Sequence, residues 1–234
     1  MQPNTVELVD RSEMKQRLKK QLQIDPHTTA ILAVDMHRGH LDPEVATMPA
    51  PPEQCRRVVD STVRLFDLAR DAGVLIIHAV LEMRSEEESM VNPFWRAVET
   101  ANQVLTPDRS STIKDHNRMG SVQTTIMPEL SSRDGDIVIT HKKRLDSFYG
   151  TDLEFVLRVH GIQTLIIVGI NTNTCVQNAA FAAFNRDLQV VVVSDCVASM
   201  YGDDLHVFGL ENISRCFGWV LTLNEVADKL EAGV

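Results

Sequence analysis

Short apolar runs rich in β-branched residues alternate along this chain with segments whose apolar positions recur at helical spacing, and that alternation constrains the fold more than any other feature. Thr29-Ala-Ile-Leu-Ala-Val, Ile137-Val-Ile-Thr, Leu165-Ile-Ile-Val and Val190-Val-Val-Val are too short and too uniformly apolar to be surface helices, and they read as buried strands. Alternating strand and helix patterns are the sequence form of a parallel sheet with helices on both faces. Strands are predicted near 29–35, 74–80, 136–141, 163–169, 189–194 and 217–222, and helices at about 52–72, 151–160, 173–186 and 204–215, with a last one from Leu223 to Glu231. Pro51-Pro52 suits a helix start, and Gly73 and Gly161 suit helix stops. The expected architecture is a three-layer, doubly wound α/β domain with about six mostly parallel strands.

Residues 27–234 are expected to form one domain, since α/β domains often reach this length without splitting. Residues 1–26 are polar with scattered apolar positions, and are expected to form an arm or helix on the body or on a neighbouring subunit. The connection from about 82 to 134 has no strong strand signal. A connection of that length in a compact domain is usually a lid, pocket wall or oligomer contact.

A net charge of -9 and a pI near 5.3 leave no basic footprint for nucleic acid or an anionic membrane surface. No apolar run approaches the roughly 20 residues needed to span a bilayer, and no signal-peptide core is visible at the amino terminus. Cys55, Cys175, Cys196 and Cys216 form no CxxC pair, which fits a reduced, cytoplasmic setting.

Three of the buried strands run into chemistry. The first ends at Asp35, the third at Lys142 and Lys143, and the fourth breaks at Gly169 before Asn171-Thr-Asn-Thr-Cys175, where a helical pattern begins. In an open parallel sheet, ligands bind outside the carboxyl ends of the strands, so these distant residues can converge. A cysteine in the first turn of a helix sits in a positive potential that lowers its pKa and offers N–H groups to an oxyanion. The pattern alone does not choose between the adjacent lysines.

This constellation resembles the isochorismatase-like cysteine hydrolases, which include nicotinamidases, N-carbamoylsarcosine amidase, biuret hydrolase and ureidoacrylate amidohydrolase. The resemblance runs from about residue 27 to the carboxyl end. It is carried by Val34-Asp35-Met36, by Gly135-Asp-Ile-Val-Ile with a lysine six positions before Phe148, by Phe148-Tyr-Gly-Thr-Asp-Leu, by Gly161 to Val176, and by Val190 to Ser199. It implies a triad of Asp35, Lys142 and Cys175, an oxyanion hole from the backbone N–H groups of Asn171 and Cys175, and a cis peptide at Ile170–Asn171. It also implies cleavage of a C–N bond in a small amide, carbamoyl or ureido compound through a thioester, and a homodimer or homotetramer.

Two departures from the family pattern bear on substrate and cofactor. The Asp-x-His pair through which nicotinamidases bind metal does not follow the second predicted strand, so no cofactor is expected, although the i, i+3 spacing of His37 and His40 could supply two ligands. His37 and His40 also stand where the family usually has Gln and Phe, which places polar groups against the ligand. Expected substrate contacts are His37, His40, Arg144, Phe148, Tyr149 and Asn171, with Asn173 as a helix cap. The alternatives are a vinyl-ether hydrolase of the isochorismatase type, which would not use Cys175, and a non-catalytic binding module of this fold.

Overall fold

The computed structural model describes residues 7–47, 49–90, 92–105 and 116–233. Six strands, β1 (Thr29–Val34), β2 (Leu75–Leu81), β3 (Ile137–Lys142), β4 (Thr164–Ile170), β5 (Gln189–Ala198) and β6 (Trp219–Leu221), form one sheet in the order β3-β2-β1-β4-β5-β6. Every pairing is parallel. The chain builds outward from β1 to β3, then returns to the other side of β1 with β4. The switch point therefore falls between the ends of β1 and β4, where a crevice opens.

Because successive strand residues face opposite sides, the central strands feed two cores. Ile31, Ala33, Ile166, Val168, Val191 and Val193 pack on one face with Val58, Leu65 and Phe66 of α3 (Pro52–Asp71) and Val226 and Leu230 of α8 (Leu223–Ala232). Ala30, Leu32, Val34, Leu165, Ile167, Val190 and Val192 pack on the other face. There they meet Leu153 and Leu157 of α5 (Leu153–Val159), Ala179, Ala180 and Ala183 of α6 (Gln177–Phe184), and Ile213 of α7 (Asp203–Cys216). The small side chains of α6 let it lie close to the sheet, which fixes the height of the preceding turn.

Local signals explain most boundaries. Pro52 opens α3, and Gly73 at φ 74 follows it. A reciprocal capping box between Thr222 and Glu225 starts α8. The fifth strand continues four residues beyond the predicted end, through the polar Ser194-Asp195. Arg57 reaches in from α3 and donates to the carbonyls of Ser194, Asp195 and Val197, while Asp195 accepts the N–H of Leu223. Side chains thus occupy backbone groups where the register with β4 shifts between Ile167 and Gly169.

Helix α1 (Ser12–Gln21) of the amino-terminal arm lies on the body of its own chain, with Lys15 on Glu211 at 2.6 Å, Lys19 on Glu225 at 2.8 Å, and the Trp219 indole donating to Leu18 O. The long connection contains α4 (Pro93–Leu105) and short 3-10 turns. Single bridges, Met83 with Arg118 and His37 with Ile126, tie it to the ends of β2 and β1. That connection also holds α2 (Arg38–Leu41) beneath it.

Gly169 is where the two central strands come closest. At φ 122, a Cβ built there would meet Val34 O at 1.9 Å, one residue before Asp35. Gly169→Ala is expected to lose about 3 kcal/mol or more of stability in urea unfolding, from strain plus overpacking. A loss under about 1 kcal/mol would show that this approach of β4 to β1 is not a structural requirement.

Candidate active site

Asp35 is the first residue past β1 and takes φ 54, a conformation that aspartate tolerates better than most side chains. Its N–H donates to Ala79 O at 2.8 Å, and its Oδ1 accepts the N–H of Leu81 at 2.9 Å, so the end of β2 holds the carboxylate from two directions. The remaining oxygen, Oδ2, accepts a hydrogen bond from Lys142 Nζ at 2.7 Å. Lys142 starts two strands away, about 9.5 Å across the sheet, and only a long side chain covers that gap. Its ammonium also lies 3.6 Å from Cys175 Sγ. All three side chains are buried, with Asp35 and Lys142 at 0% exposure.

Lys143 points elsewhere. Its Nζ donates to Glu82 O at 2.9 Å and pairs with Glu87 at 3.1 Å. Alternation along β3 thus separates the adjacent lysines as a strand must, and it is Lys142 that meets Asp35 and Cys175.

Cys175 lies in a single π turn, Thr172–Val176, that leads into α6. Thr174 and Val176 donate their N–H groups back to Asn171 O at 3.1 Å each. The Ile170–Asn171 peptide is cis. The helix terminus does not lower the thiol pKa as the sequence suggested. Burial pushes it up to about 12, with the Lys142 charge opposing and Asp35 reinforcing the rise. Burial also pulls Lys142 down, but Asp35 and Cys175 outweigh it and hold the lysine above its ordinary value. The resting site is therefore an ammonium–carboxylate pair beside a neutral thiol.

The other expected contacts divide. Asn171 turns its Oδ1 to the N–H of Met200 at 2.9 Å, and Asn173 accepts the Ser199 hydroxyl at 2.7 Å, so both asparagines fasten the segment after β5 and neither caps a helix. Phe148 packs in the core under the Arg186 guanidinium, 4.4 Å from its ring. Arg144 and Tyr149 are exposed, with Arg144 donating to Lys143 O. Sequence reasoning passed over Tyr201, whose phenol is pushed up to about 12 by burial and, secondarily, by the nearby Cys175. Its position just past a strand end at the same edge of the sheet was the available signal.

His37 and His40 are buried, their ring centroids 4.8 Å apart, and His116 from the long connection stacks edge-on to His40 at 5.2 Å. Burial is the chief cause that takes His37 down to about 3 and His116 to about 4, and it holds His40 well below the ordinary range. Of these neutral rings, His40 and His116 turn toward Asn117, and His116 also meets the Thr47 hydroxyl. Among the described residues no three His, Cys, Asp or Glu side chains are arranged to hold a metal ion.

The Isochorismatase domain profile matches residues 29–225, and the chain belongs to that family. It is 26% identical over 211 residues to a ureidoacrylate amidohydrolase of Rhizobium rhizogenes, covering 87% of this chain and 84% of the relative. Its fold is similar to a cysteine hydrolase from Pseudomonas syringae pv. phaseolicola, with TM-score 0.77, 23% identity, and 91% and 97% of the two chains covered. It is likewise similar to N-carbamoylsarcosine amidase from Thermoplasma acidophilum, with TM-score 0.62, 20% identity and coverage of 84% and 97%.

A thiol with a raised pKa has a measurable signature. Alkylation of Cys175 by iodoacetamide, followed by peptide mass spectrometry, should be slow at pH 7 and rise about tenfold per pH unit from 8 to 10 with no plateau. Exposed Cys216 should react first. Lys142→Ala should slow Cys175 further by removing the one charge that favours its thiolate, while Lys143→Ala should match the unaltered protein. A plateau near pH 8.5, or the reverse behaviour of the two lysine variants, would contradict this electrostatic picture.

Proposed function

We propose that the protein is a cysteine amidohydrolase that cleaves the C–N bond of a small amide, carbamoyl or ureido compound. The observation that carries this reading is the buried contact of Asp35, Lys142 and Cys175 at the switch point of the sheet. A dry carboxylate beside a thiol is the arrangement that general-base activation of a nucleophile requires.

When the substrate carbonyl docks against Cys175, the thiol proton passes to Asp35 as the sulfur–carbon bond forms. Lys142 offsets the negative charge that would otherwise build on sulfur and carboxylate together. The carbonyl oxygen becomes an oxyanion, and the N–H groups of Cys175 and Asn171 are the nearest backbone donors for it. Asp35 then returns the proton to the departing nitrogen. Ammonia or an amine leaves, and the acyl group remains on sulfur as a thioester. A water molecule gives its proton to Asp35 as it attacks the thioester carbon. Collapse releases the acid, and the proton goes back to the sulfur, restoring the thiol.

Chemistry of this kind calls for no metal, in keeping with a sequence that has no Asp-x-His pair after its second strand. No helix among the described residues is long and apolar enough to cross a membrane, and we place the enzyme in a reducing, cytoplasmic setting. A homodimer or homotetramer completes the proposal, supported by exposed Phe155, Phe181, Phe184 and Phe208 on the outer helices.

Ammonia release should be assayed over nicotinamide, biuret, N-carbamoylsarcosine, maleamate and ureidoacrylate. Cys175→Ala is expected to lower turnover of whichever amide is cleaved by about 10⁴-fold or more while still binding it, and intact-mass measurement of the unaltered enzyme should capture an acyl adduct. Near-normal turnover by the alanine variant would end the covalent mechanism. Exhaustive chelation should leave the rate unchanged. Loss on chelation with recovery on added zinc or manganese would require a metal-assisted reaction instead.

A further inference from the structure

We propose that His37, His40, His116 and Asn117 form a buried subsite that binds a carboxylate on the acyl part of the substrate, so that the enzyme acts on amides of small acids. This deepens the amidohydrolase reading and rests on it.

The cluster is built from two distant pieces of chain. His37 and His40 follow Asp35 on and before the short α2, while His116 and Asn117 arrive from the long connection. Asn117 is pinned there: its N–H donates to Gln123 Oε1 at 2.7 Å, and its carbonyl accepts the N–H of Met83 at 2.9 Å. Gly39 makes room for it, since a Cβ at residue 39 would lie 2.0 Å from Asn117 Oδ1. Asp35 and Lys142 act electrostatically on the rings, which places the cluster beside the triad.

What is unusual is how little of this polarity is used internally. Asn117 Nδ2 lies 3.0 Å from His116 Nε2 and 3.4 Å from His40 Nε2, so each Nε2 accepts and the ring hydrogens sit on Nδ1. The Nδ1–H of His116 goes to the Thr47 hydroxyl. The Nδ1 of His40 and Asn117 Oδ1 are buried without a partner, and neither nitrogen of His37 makes a well-formed hydrogen bond, although the Gln123 carbonyl lies near its ring. A buried donor or acceptor left unpaired is destabilising, and a core built only for packing would carry aromatic or aliphatic side chains here. Unpaired N–H groups at this spot are explained by an acceptor that arrives with the ligand.

Charge selects which acceptor. Asp35 and Lys142 balance each other, so this buried pair offers no net positive charge to an anionic ligand. The histidines, neutral in the empty site, can provide one. A carboxylate accepting from His37 and His40 in a low-dielectric pocket would favour imidazolium, and one ring would take up a proton as the acid binds. A neutral carbonyl could accept the same hydrogen bonds but would recruit no proton.

The test uses Cys175→Ala, full length, so that binding is read without turnover. Succinamate, maleamate and N-carbamoylglycine are titrated calorimetrically at about pH 7.5, each against its counterpart in which the carboxylate is a carboxamide, in phosphate and in Tris. At least one acid should bind about tenfold or more tighter than its neutral counterpart, and the enthalpy difference between buffers should report uptake of roughly half a proton or more. Adding His40→Phe should abolish both the preference and the proton uptake. His40→Gln keeps an N–H but cannot be protonated, and should lose the uptake while retaining some binding, which separates recognition from misfolding. Equal binding of acid and neutral counterpart, binding without proton uptake, or no binding by any of the three acids would overturn the subsite. The amidohydrolase reading fails separately, if the unaltered enzyme releases no ammonia from any amide offered, and its cysteine mechanism fails if Cys175→Ala releases ammonia at a near-normal rate.

Discussion

A lysine ammonium and an aspartate carboxylate, 2.7 Å apart and both sealed from solvent, are the constraint on which the site depends. Taking two such charges out of water costs several kcal/mol per ion, and the mutual attraction offsets this only where other hydrogen bonds complete the shell. Here the N–H of Leu81 supplies one more donor to the carboxylate, and the sulfur of Cys175 sits against the ammonium. The pair also disciplines the fold. Lys142 must end its strand at the right height to reach across β2. The register irregularity between Ala79 and Leu81, which aligns Leu81 with Lys142, lies at the point the side chain has to pass.

The same dryness decides how the nucleophile is kept. A thiol at a wet helix terminus would rest as thiolate, open to alkylation and oxidation. Burial keeps Cys175 protonated, and Asp35, the base of the proposed reaction, is held beside it by Lys142. Activation is thereby deferred to the moment a substrate carbonyl arrives, when proton loss and bond formation can proceed together. Cys55 and Cys196 are likewise pushed up chiefly by burial, with smaller opposing effects from Arg56 on the first and from Thr62, Arg57 and Arg64 on the second.

The sheet and the convergence of Asp35, Lys142 and Cys175 were legible because each depends on local patterns that topology then joins. Runs such as Leu165-Ile-Ile-Val are strands in any context that buries them, and a parallel sheet brings their carboxyl ends together whatever lies between. The register at Lys142 and Lys143 was readable only through the spacing to Phe148, because alternation says that the two diverge but not which one faces Asp35. What could not be read depends on three-dimensional neighbours. Asn171 and Asn173 look like ligand contacts or caps until Met200 and Ser199 are seen to occupy them. The pKa of Cys175 turns on burial, which no spacing reports. His116 and Tyr201 join the site from segments with no periodic signal.

That division matches a division of labour in the molecule. Asp35 and Cys175 follow β1 and β4, strands buried on both faces at the centre of the sheet, whereas Lys142 ends the edge strand β3, where Val138 and His141 are exposed and only Ile139 and Lys142 are buried. His116 and Asn117 come from a connection held to the body by the single bridges of Met83 and Ile126, by the Gln123 contacts, and by the Thr47 hydroxyl. Changes in that connection can reshape recognition without moving the triad. Changes in the strands cannot be made so freely, because each of them carries both a core face and a catalytic end. His37 and His40 stand at the junction of the two, just past the end of β1 and packed against His116 of the connection, so a substitution in either piece of chain is felt by the other.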